Sequence, residues 1–156
     1  MSQASAIGER MRREVEKQCK ALALDIDARL RRATPVDTGH ARRNWVPSVG
    51  QPHSGEVSGD GEHATGVAEV LAYTLQAGPL WVSNSVPYIN ALNYGHSKQA
   101  PAGFIERAVD LALQKAQRRS QTTLDVSAIR SAYTSEVGAS GAENLASAYS
   151  PFGDDW

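Results

Sequence analysis

The chain has 156 residues, a net charge of −1 and 41% hydrophobic residues, a size and composition that suit one domain with an extension. The near-zero charge gives no global electrostatic reason to expect binding to nucleic acid or to a membrane surface. The single cysteine, Cys19, excludes an internal disulfide and favours a cytosolic origin, and we predict neither a signal peptide nor a membrane span.

Charge is unevenly distributed along the chain. Met1–Trp45 holds 10 Lys and Arg residues against 6 Asp and Glu, whereas Thr123–Trp156 holds 1 against 5. The basic first part and the acidic last part could pair, within one chain or between neighbouring copies. The alternative is that both are solvated faces that do not interact.

Ser5–Arg32 is predicted to form one long helix, because no proline interrupts it and its apolar residues recur every three or four positions. At ~1.5 Å per residue this helix would be roughly 40 Å long, so its N-terminal half should project from the core or pack on something else. Cys19 lies in the apolar stripe and is predicted to be a buried small side chain, not a nucleophile. The stripe consists of Met11, Val15, Cys19, Leu22, Ile26 and Leu30.

The helix is followed by a predicted turn and strand. Pro35 disfavours helical geometry at the residue before it, and Val36–Gly39 has the composition of a turn. Ala41–Val49 is predicted to be a strand anchored by Trp45. A catalytic role for Asp37 is not favoured, because no partner carboxylate or histidine stands at a recognisable spacing.

The next segment is predicted to be a loop and a short helix. Gly50–Gly66 is rich in Gly, Ser, Pro and acidic residues, which predicts the most mobile loop of the core region. Its histidines, His53 and His63, do not have the spacing of metal ligands. Thr65–Ala77 has the apolar spacing of a short amphipathic helix.

Trp81–Phe104 is the stretch around which the rest of the chain is organised. It begins within a predicted strand, Leu80–Val82, and continues into a short helix opened by Pro87 and ended by Gly95. The loop from His96 to Gly103 is polar and bounded by Gly and Pro, which predicts a rigid loop. It is either a contact surface for a partner or an ordinary connection.

Gly103–Gln121 is predicted to be the second major helix, with a broad apolar face. Residues 122–156 contain too few large apolar residues to build a core of their own, and we expect them to dock on a neighbouring subunit. The predicted fold is α+β: a long N-terminal helix and a second major helix packed on a small, mainly antiparallel sheet, with an extended C-terminal arm. The predicted domains are a core of residues 1–121 and an arm of residues 122–156.

Sequence signatures of enzymes are lacking. There is no glycine-rich loop with Gly-Lys-Ser/Thr, no GxGxxG after a strand, no GxSxG elbow and no CxxC. His96 and Ser97 are adjacent but lack an acid to orient them. We therefore predict no enzymatic activity, no cofactor and no metal.

Two motifs carry a resemblance to a known family. The first is Thr34-Pro35-Val36-Asp37-Thr38-Gly39 with Asn44-Trp45 behind it; the second is Asn84-x-x-Pro87-Tyr88 followed by Leu92-x-Tyr94-Gly95-His96-Ser97-x-Gln99-Ala100-Pro101-x-Gly103. Together they resemble the small tail-completion, or neck, proteins of long-tailed bacteriophages and prophages, over roughly residues 10–119. The family usually carries an acidic residue just before the Tyr-Gly pair, where this chain has Asn93.

The resemblance implies a structural virion protein at the head–tail junction, needed for tail maturation or head–tail joining. Such a protein would be assembled in the bacterial host cytoplasm as a homo-oligomeric ring, with six copies expected. Its partners would be other neck and tail proteins, such as the tail tube, tail terminator or head-completion protein. Genome DNA would pass through without specific binding, and no membrane would be involved.

We predict that one set of residues lies at a subunit or partner interface, drawn from the two motifs and the aromatic residues of the arm. The alternative function is a DNA-binding module that uses the basic N-terminal helix, whose bases are Arg10, Arg12, Arg13, Lys17 and Lys20. The predicted interface set is Asp37, Gly39, Trp45, Tyr88, Tyr94, Gly95, His96, Ser97, Lys98, Gln99, Pro101, Phe152 and Trp156.

Overall fold

The structure, a computed structural model, describes the backbone of residues 3–123 and the side chains of residues 5–120. By its internal contacts the chain divides into two compact units, Met1–Ala116 and Gln117–Trp156. The described part of the second unit is residues 117–123, which continue the last helix. The predicted arm lies outside the described residues from position 124 onward.

The fold is α+β, as predicted, with a long N-terminal helix and a small antiparallel sheet. Its two strands pair with Trp45 opposite Asn84 and Val49 opposite Leu80. A single 3-10 turn spans Leu75–Ala77. The other elements of the described chain are α1 (Gln3–Ala33), α2 (His40–Arg43), β1 (Trp45–Val49), α3 (Gly61–Leu71), β2 (Leu80–Asn84), α4 (Ile89–Asn93) and α5 (Phe104–Thr123).

The first helix forms where the periodicity predicted it, but its apolar stripe is buried only toward its C-terminal end. Leu30 is 2% exposed, whereas Met11 is 65% and Val15 45% exposed. Cys19 is half-buried, so its predicted burial is only partial. The large apolar side chains in the N-terminal half of α1 are therefore exposed, unlike those at its C-terminal end.

Three predicted boundaries are wrong. The strand predicted from Ala41 begins only at Trp45, because His40–Arg43 form one helical turn, α2, after Gly39. The loop predicted to run to Gly66 ends earlier, since α3 already begins at Gly61; this helix then ends at Leu71 and does not reach Ala77. α2 is too short to show an apolar period, and the first turn of α3, residues 61–64, carries polar and small residues that resemble a loop.

A close contact with β1 explains why a glycine, Gly66, occurs inside α3. A Cβ built on it would lie 1.9 Å from the carbonyl oxygen of Pro47 in β1. The helix thus approaches the strand backbone more closely than any side chain at this position permits. Its neighbour in the helix, Val70, is fully buried.

The main core cluster joins the C-terminal end of α1 to α2, β1, α4 and the start of α5. Trp45 is its largest side chain, and it is 5% exposed. The cluster consists of Leu30, Ala41, Trp45, Val86, Ile89, Phe104 and Ala108. On α5 the buried face is narrower than predicted, because Leu111 and Leu113 remain more than 40% exposed.

Polar contacts also tie α1 to its neighbours. Asp25 accepts hydrogen bonds from Arg29 (2.8 Å) and from Lys115 of α5 (2.6 Å). Burial raises the pKa of the Asp25 carboxyl, but these hydrogen bonds and the two positive charges outweigh burial and lower that pKa overall. Asp27, which is buried, accepts a hydrogen bond from Nε2 of His63 in α3 (2.9 Å), and its other carboxylate oxygen has no protein partner.

No helix within the described part of the chain is both long enough and apolar enough to cross a membrane.

Candidate functional site

The two motifs, which lie about fifty residues apart in the sequence, line one groove. One wall is the turn Pro35–Ala41, and the other is formed by Tyr88, Leu92 and the loop residues His96, Ser97 and Gln99. We call this the motif groove; its volume is about 230 Å³. The backbone N–H of Val36 donates to Oε1 of Gln99 (2.9 Å), so the two walls are joined directly.

Thr34 and Trp45 support the first wall from below. The Thr34 hydroxyl donates to the Leu30 carbonyl (2.6 Å) and accepts from the indole N–H of Trp45 (2.7 Å). Both side chains are buried, so Trp45 packs in the core of its own chain. Its predicted place at an interface stays a prediction, while its role as the anchor of the strand is confirmed.

Asn44, beside Trp45, holds the long segment that follows β1. Its amide donates to the carbonyl oxygens of His40 (2.9 Å) and Val57 (3.2 Å), and its oxygen accepts from the Val57 N–H (2.7 Å). Val57 is 1% exposed. The loop predicted to be the most mobile is thus fastened to the core at its middle.

Asn93, at the end of α4, organises the second wall. Its amide donates to both carboxylate oxygens of Glu106 (2.9 Å each), and its side-chain oxygen accepts from the backbone N–H of Ile105 (3.0 Å). Its backbone carbonyl accepts from the N–H of Gly103 (2.7 Å). One buried amide therefore closes the loop from His96 to Gly103 and caps the first turn of α5.

These contacts also act on the charge of Glu106. The hydrogen bonds from Asn93, followed by one from the backbone N–H of Glu106 itself, lower the pKa of the Glu106 carboxyl below its ordinary value of 4.5. An acidic side chain at position 93 would place a second carboxylate against this one. Asn93 is thus paired with an acid thirteen residues later in the sequence.

Gly95 fixes the corner between α4 and the loop. Its φ is +91°, a left-handed conformation that other residues rarely adopt, and a Cβ here would lie 3.2 Å from Cβ of Ala102. This corner leaves Tyr94 exposed at 75%, and Tyr88, on the rim of the motif groove, at 45%. Exposed tyrosines beside a shaped groove are typical of protein-binding surfaces.

Several polar side chains of the groove bind backbone groups or neighbouring side chains. The Ser97 hydroxyl accepts from the backbone N–H of Gln99 (3.1 Å), and among the described residues no hydrogen bond joins Ser97 to His96 or Asp37. His40 is paired with Glu56 at the edge of the groove (2.5 Å). No group of three or more metal-ligating side chains occurs in the part of the chain that the structure describes.

The predicted interface residues are distributed over several places. Tyr94, Gly95 and Lys98 lie exposed at or beside the corner of the loop, and Pro101 lines a second groove on its other side. Phe152 and Trp156 lie outside the described residues. Those that the structure brings together in the motif groove are Asp37, Gly39, Tyr88, His96, Ser97 and Gln99.

Sequence reasoning did not assign the supporting residues Thr34, Asn44, Asn93 and Glu106. One signal was available in the sequence: Thr34 and Asn44 lie inside the first motif, and Asn93 lies inside the second. A polar side chain that becomes buried there needs hydrogen-bond partners in fixed positions. The hydrogen bonds that tie these residues to other segments span 11 to 13 positions, beyond any local pattern.

Comparisons with protein-family models, curated proteins and solved structures found no match. What the groove can do therefore follows from its own residues.

Proposed function

We propose that this chain is a structural virion protein that joins copies of itself, and other neck and tail proteins, at the head–tail junction of a long-tailed phage or phage-derived particle. In this role it works as a homo-oligomeric ring subunit in tail completion, assembled in the host cytoplasm and retained in the virion. The motif groove binds a protein surface and catalyses no reaction.

The observation that supports this proposal most is the convergence of both family-like motifs on one groove. Residues that set the backbone there, such as Thr34, Asn93 and Gly95, shape the walls without offering a reactive group. The exposed side chains are instead aromatic or polar, as in Tyr88 and Tyr94. A preformed wall with aromatic anchors is the arrangement that rigid protein–protein contacts use.

The ion pairs on the first helix argue against the alternative that this helix binds DNA. Of its five bases before Ala21, Arg12 pairs with Glu9 (2.8 Å) and Lys17 with Glu14 (3.6 Å). A Lys or Arg side chain that is already paired with a carboxylate neutralises DNA phosphates less effectively, so fewer counterions are released from the DNA on binding. If the alternative is right, affinity for duplex DNA should fall steeply as salt is raised; weak binding with little dependence on salt would remove it.

The proposal is tested in a phage or prophage that lacks this protein and is supplied with variants. Tyr94→Ser with Tyr88→Ser removes the aromatic side chains of the groove region without touching the core. We expect a loss of at least about tenfold in infectious titre, because exposed aromatic anchors carry a large share of interface energy. Electron micrographs should show separated heads and tails.

The matched control is Tyr73→Phe, since Tyr73 is buried and outside the groove. It should leave titre and particle shape unchanged. Both proteins should unfold at temperatures close to that of the parent, which separates loss of assembly from loss of folding. Wild-type titre in the Tyr88 and Tyr94 double variant would contradict the proposal, and so would particles that form normally without the chain.

A further inference from the structure

A second groove lies between the C-terminal end of α1 and the start of α5. It has a volume of about 420 Å³ and shares Gln99 and the loop beside it with the motif groove. Its floor includes Phe104 and Ala108, which are buried, and Leu111, which is 45% exposed. We call it the arginine groove, because its rim carries Arg29, Arg32 and Arg107.

Two of the three arginines are available to a ligand. Arg29 is held by Asp25 (2.8 Å). In the described residues, the guanidinium groups of Arg32 and Arg107 have no hydrogen bond or ion pair, and both residues are exposed. A guanidinium binds a carboxylate through two parallel hydrogen bonds, so this rim is suited to an acidic partner.

The shape and charge of the groove together restrict the occupant. An apolar floor under two unpaired cations favours a segment that carries a large apolar side chain next to carboxylates. A volume near 420 Å³ is that of a pocket for a few side chains, not of a broad domain interface. Nucleic acid is less suitable, because its charge lies on phosphates and it supplies no aliphatic side chain to pack on Leu111.

This chain carries such a segment in its own acidic last part. Tyr149–Trp156 reads Tyr-Ser-Pro-Phe-Gly-Asp-Asp-Trp, with two adjacent carboxylates between two aromatic residues. Thr123–Trp156 as a whole holds 5 acidic residues against 1 basic one. The charges of groove and segment are therefore opposite, and each has apolar surface beside its charges.

We propose that the arginine groove of one copy binds the segment Tyr149–Trp156 of a neighbouring copy. Asp154 and Asp155 pair with Arg32 and Arg107, while Phe152 or Trp156 covers Phe104 and Leu111. The choice of a neighbouring copy rests on the proposed self-association, since a ring requires two unlike surfaces on every subunit. A groove and a separate segment are two such surfaces.

The test is a charge exchange in the full chain, with the association constant measured by sedimentation at several concentrations. Arg32→Glu with Arg107→Glu should weaken self-association roughly tenfold, the effect of two exposed ion pairs. Asp154→Lys with Asp155→Lys should do the same. Combining all four substitutions should restore association to within about threefold of the parent, because the pairs form again with opposite sign.

A matched control makes the same change of charge elsewhere. Arg10→Glu with Arg42→Glu alters two exposed arginines outside the groove and should leave the association constant unchanged. Equal weakening by this control would show a general charge effect and would overturn the proposal. So would a fourfold variant whose defect is the sum of the two double variants.

Mixing distinguishes a neighbouring copy from the same chain. The groove variant retains a normal segment and the segment variant retains a normal groove, so an equimolar mixture should associate more tightly than either variant alone. If the mixture associates no more tightly, or if the parent itself is a monomer at every concentration, docking between copies is overturned. The head–tail proposal would still stand or fall on particle titre, so the two failures can be told apart.

Discussion

Asn93 shows how one buried amide can set the shape of a surface. It binds the Glu106 carboxylate, the first turn of α5 and the end of the loop at once, and it is 7% exposed. A buried polar group with all its partners in place restricts the backbone to one conformation, because every alternative leaves some of these groups unsatisfied.

Asn93→Asp should therefore destabilise the fold at neutral pH. The change removes two donated hydrogen bonds and brings a second carboxylate against Glu106, so we expect the unfolding midpoint to fall by several degrees at pH 7. Thermal unfolding followed by circular dichroism measures this. Asn90→Asp is the control, because it adds the same charge at an exposed position of α4.

The pH dependence of the two proteins should differ in sign. In the parent the pKa of Glu106 is lowered, so its contribution to stability is present above its ordinary value of 4.5 and is lost as pH falls through the lowered value. In Asn93→Asp the repelling pair is relieved by taking up a proton, so the difference from the parent should shrink on acidification. A deficit that stays constant from pH 7 to pH 4 would contradict this account.

Helix α3 and strand β1 pack backbone against backbone, because Gly66 lies against the Pro47 carbonyl. Such a contact is specified by size alone, and a single methyl group is enough to break it. It also explains why α3 was hard to predict: its glycines at 61 and 66 read as loop residues, yet Gly66 is there because two backbones meet.

Gly66→Ala should cost about 1–3 kcal/mol or more, since the added Cβ meets backbone that cannot rotate away. Gly61→Ala in the same helix has no atom within 4 Å of the new Cβ and should be neutral or stabilising by up to ~1 kcal/mol. Urea unfolding of the two variants measures the difference. Equal stability of both would mean that α3 packs further from the strand than described.

Elements with strong apolar periodicity were predictable, and elements set by distant contacts were not. α1, α5 and β2 follow from spacing and composition within each segment. α2 could not be found in this way, because its backbone is held from elsewhere: Asn84 donates to the Ala41 carbonyl (2.8 Å) across 43 positions. Six residues of the motif groove belong to the predicted interface set, but the groove itself and the hydrogen bond between Val36 and Gln99, 63 positions apart, were not predicted.

At the scale of the whole chain, the long first helix has two different environments. Its last turns enter the core at Leu30, whereas Ile7, Met11 and Val15 are about half exposed or more. Periodicity predicted the helix correctly but could not show how far the buried face extends. The extent of the buried face depends on where the other elements pack against the helix, and the sequence of the helix alone does not contain this information.

Met11→Lys with Val15→Lys should leave the free energy of unfolding unchanged within about 0.5 kcal/mol, because these side chains lie outside the core. Leu30→Ala, on the same stripe, should cost about 2–5 kcal/mol through the cavity it leaves. Denaturant titration of both variants gives the comparison. A large loss in the lysine variant would show that the first half of α1 packs in the monomer.

Gln99 has a position whose consequence reaches beyond either cavity. Its side chain borders both of them while its amide oxygen holds the Val36 backbone. A molecule bound in the motif groove and a molecule bound in the arginine groove therefore both contact Gln99. If an occupant of one groove shifts Gln99, each occupant alters the affinity of the other by the same factor, whichever of the two binds first.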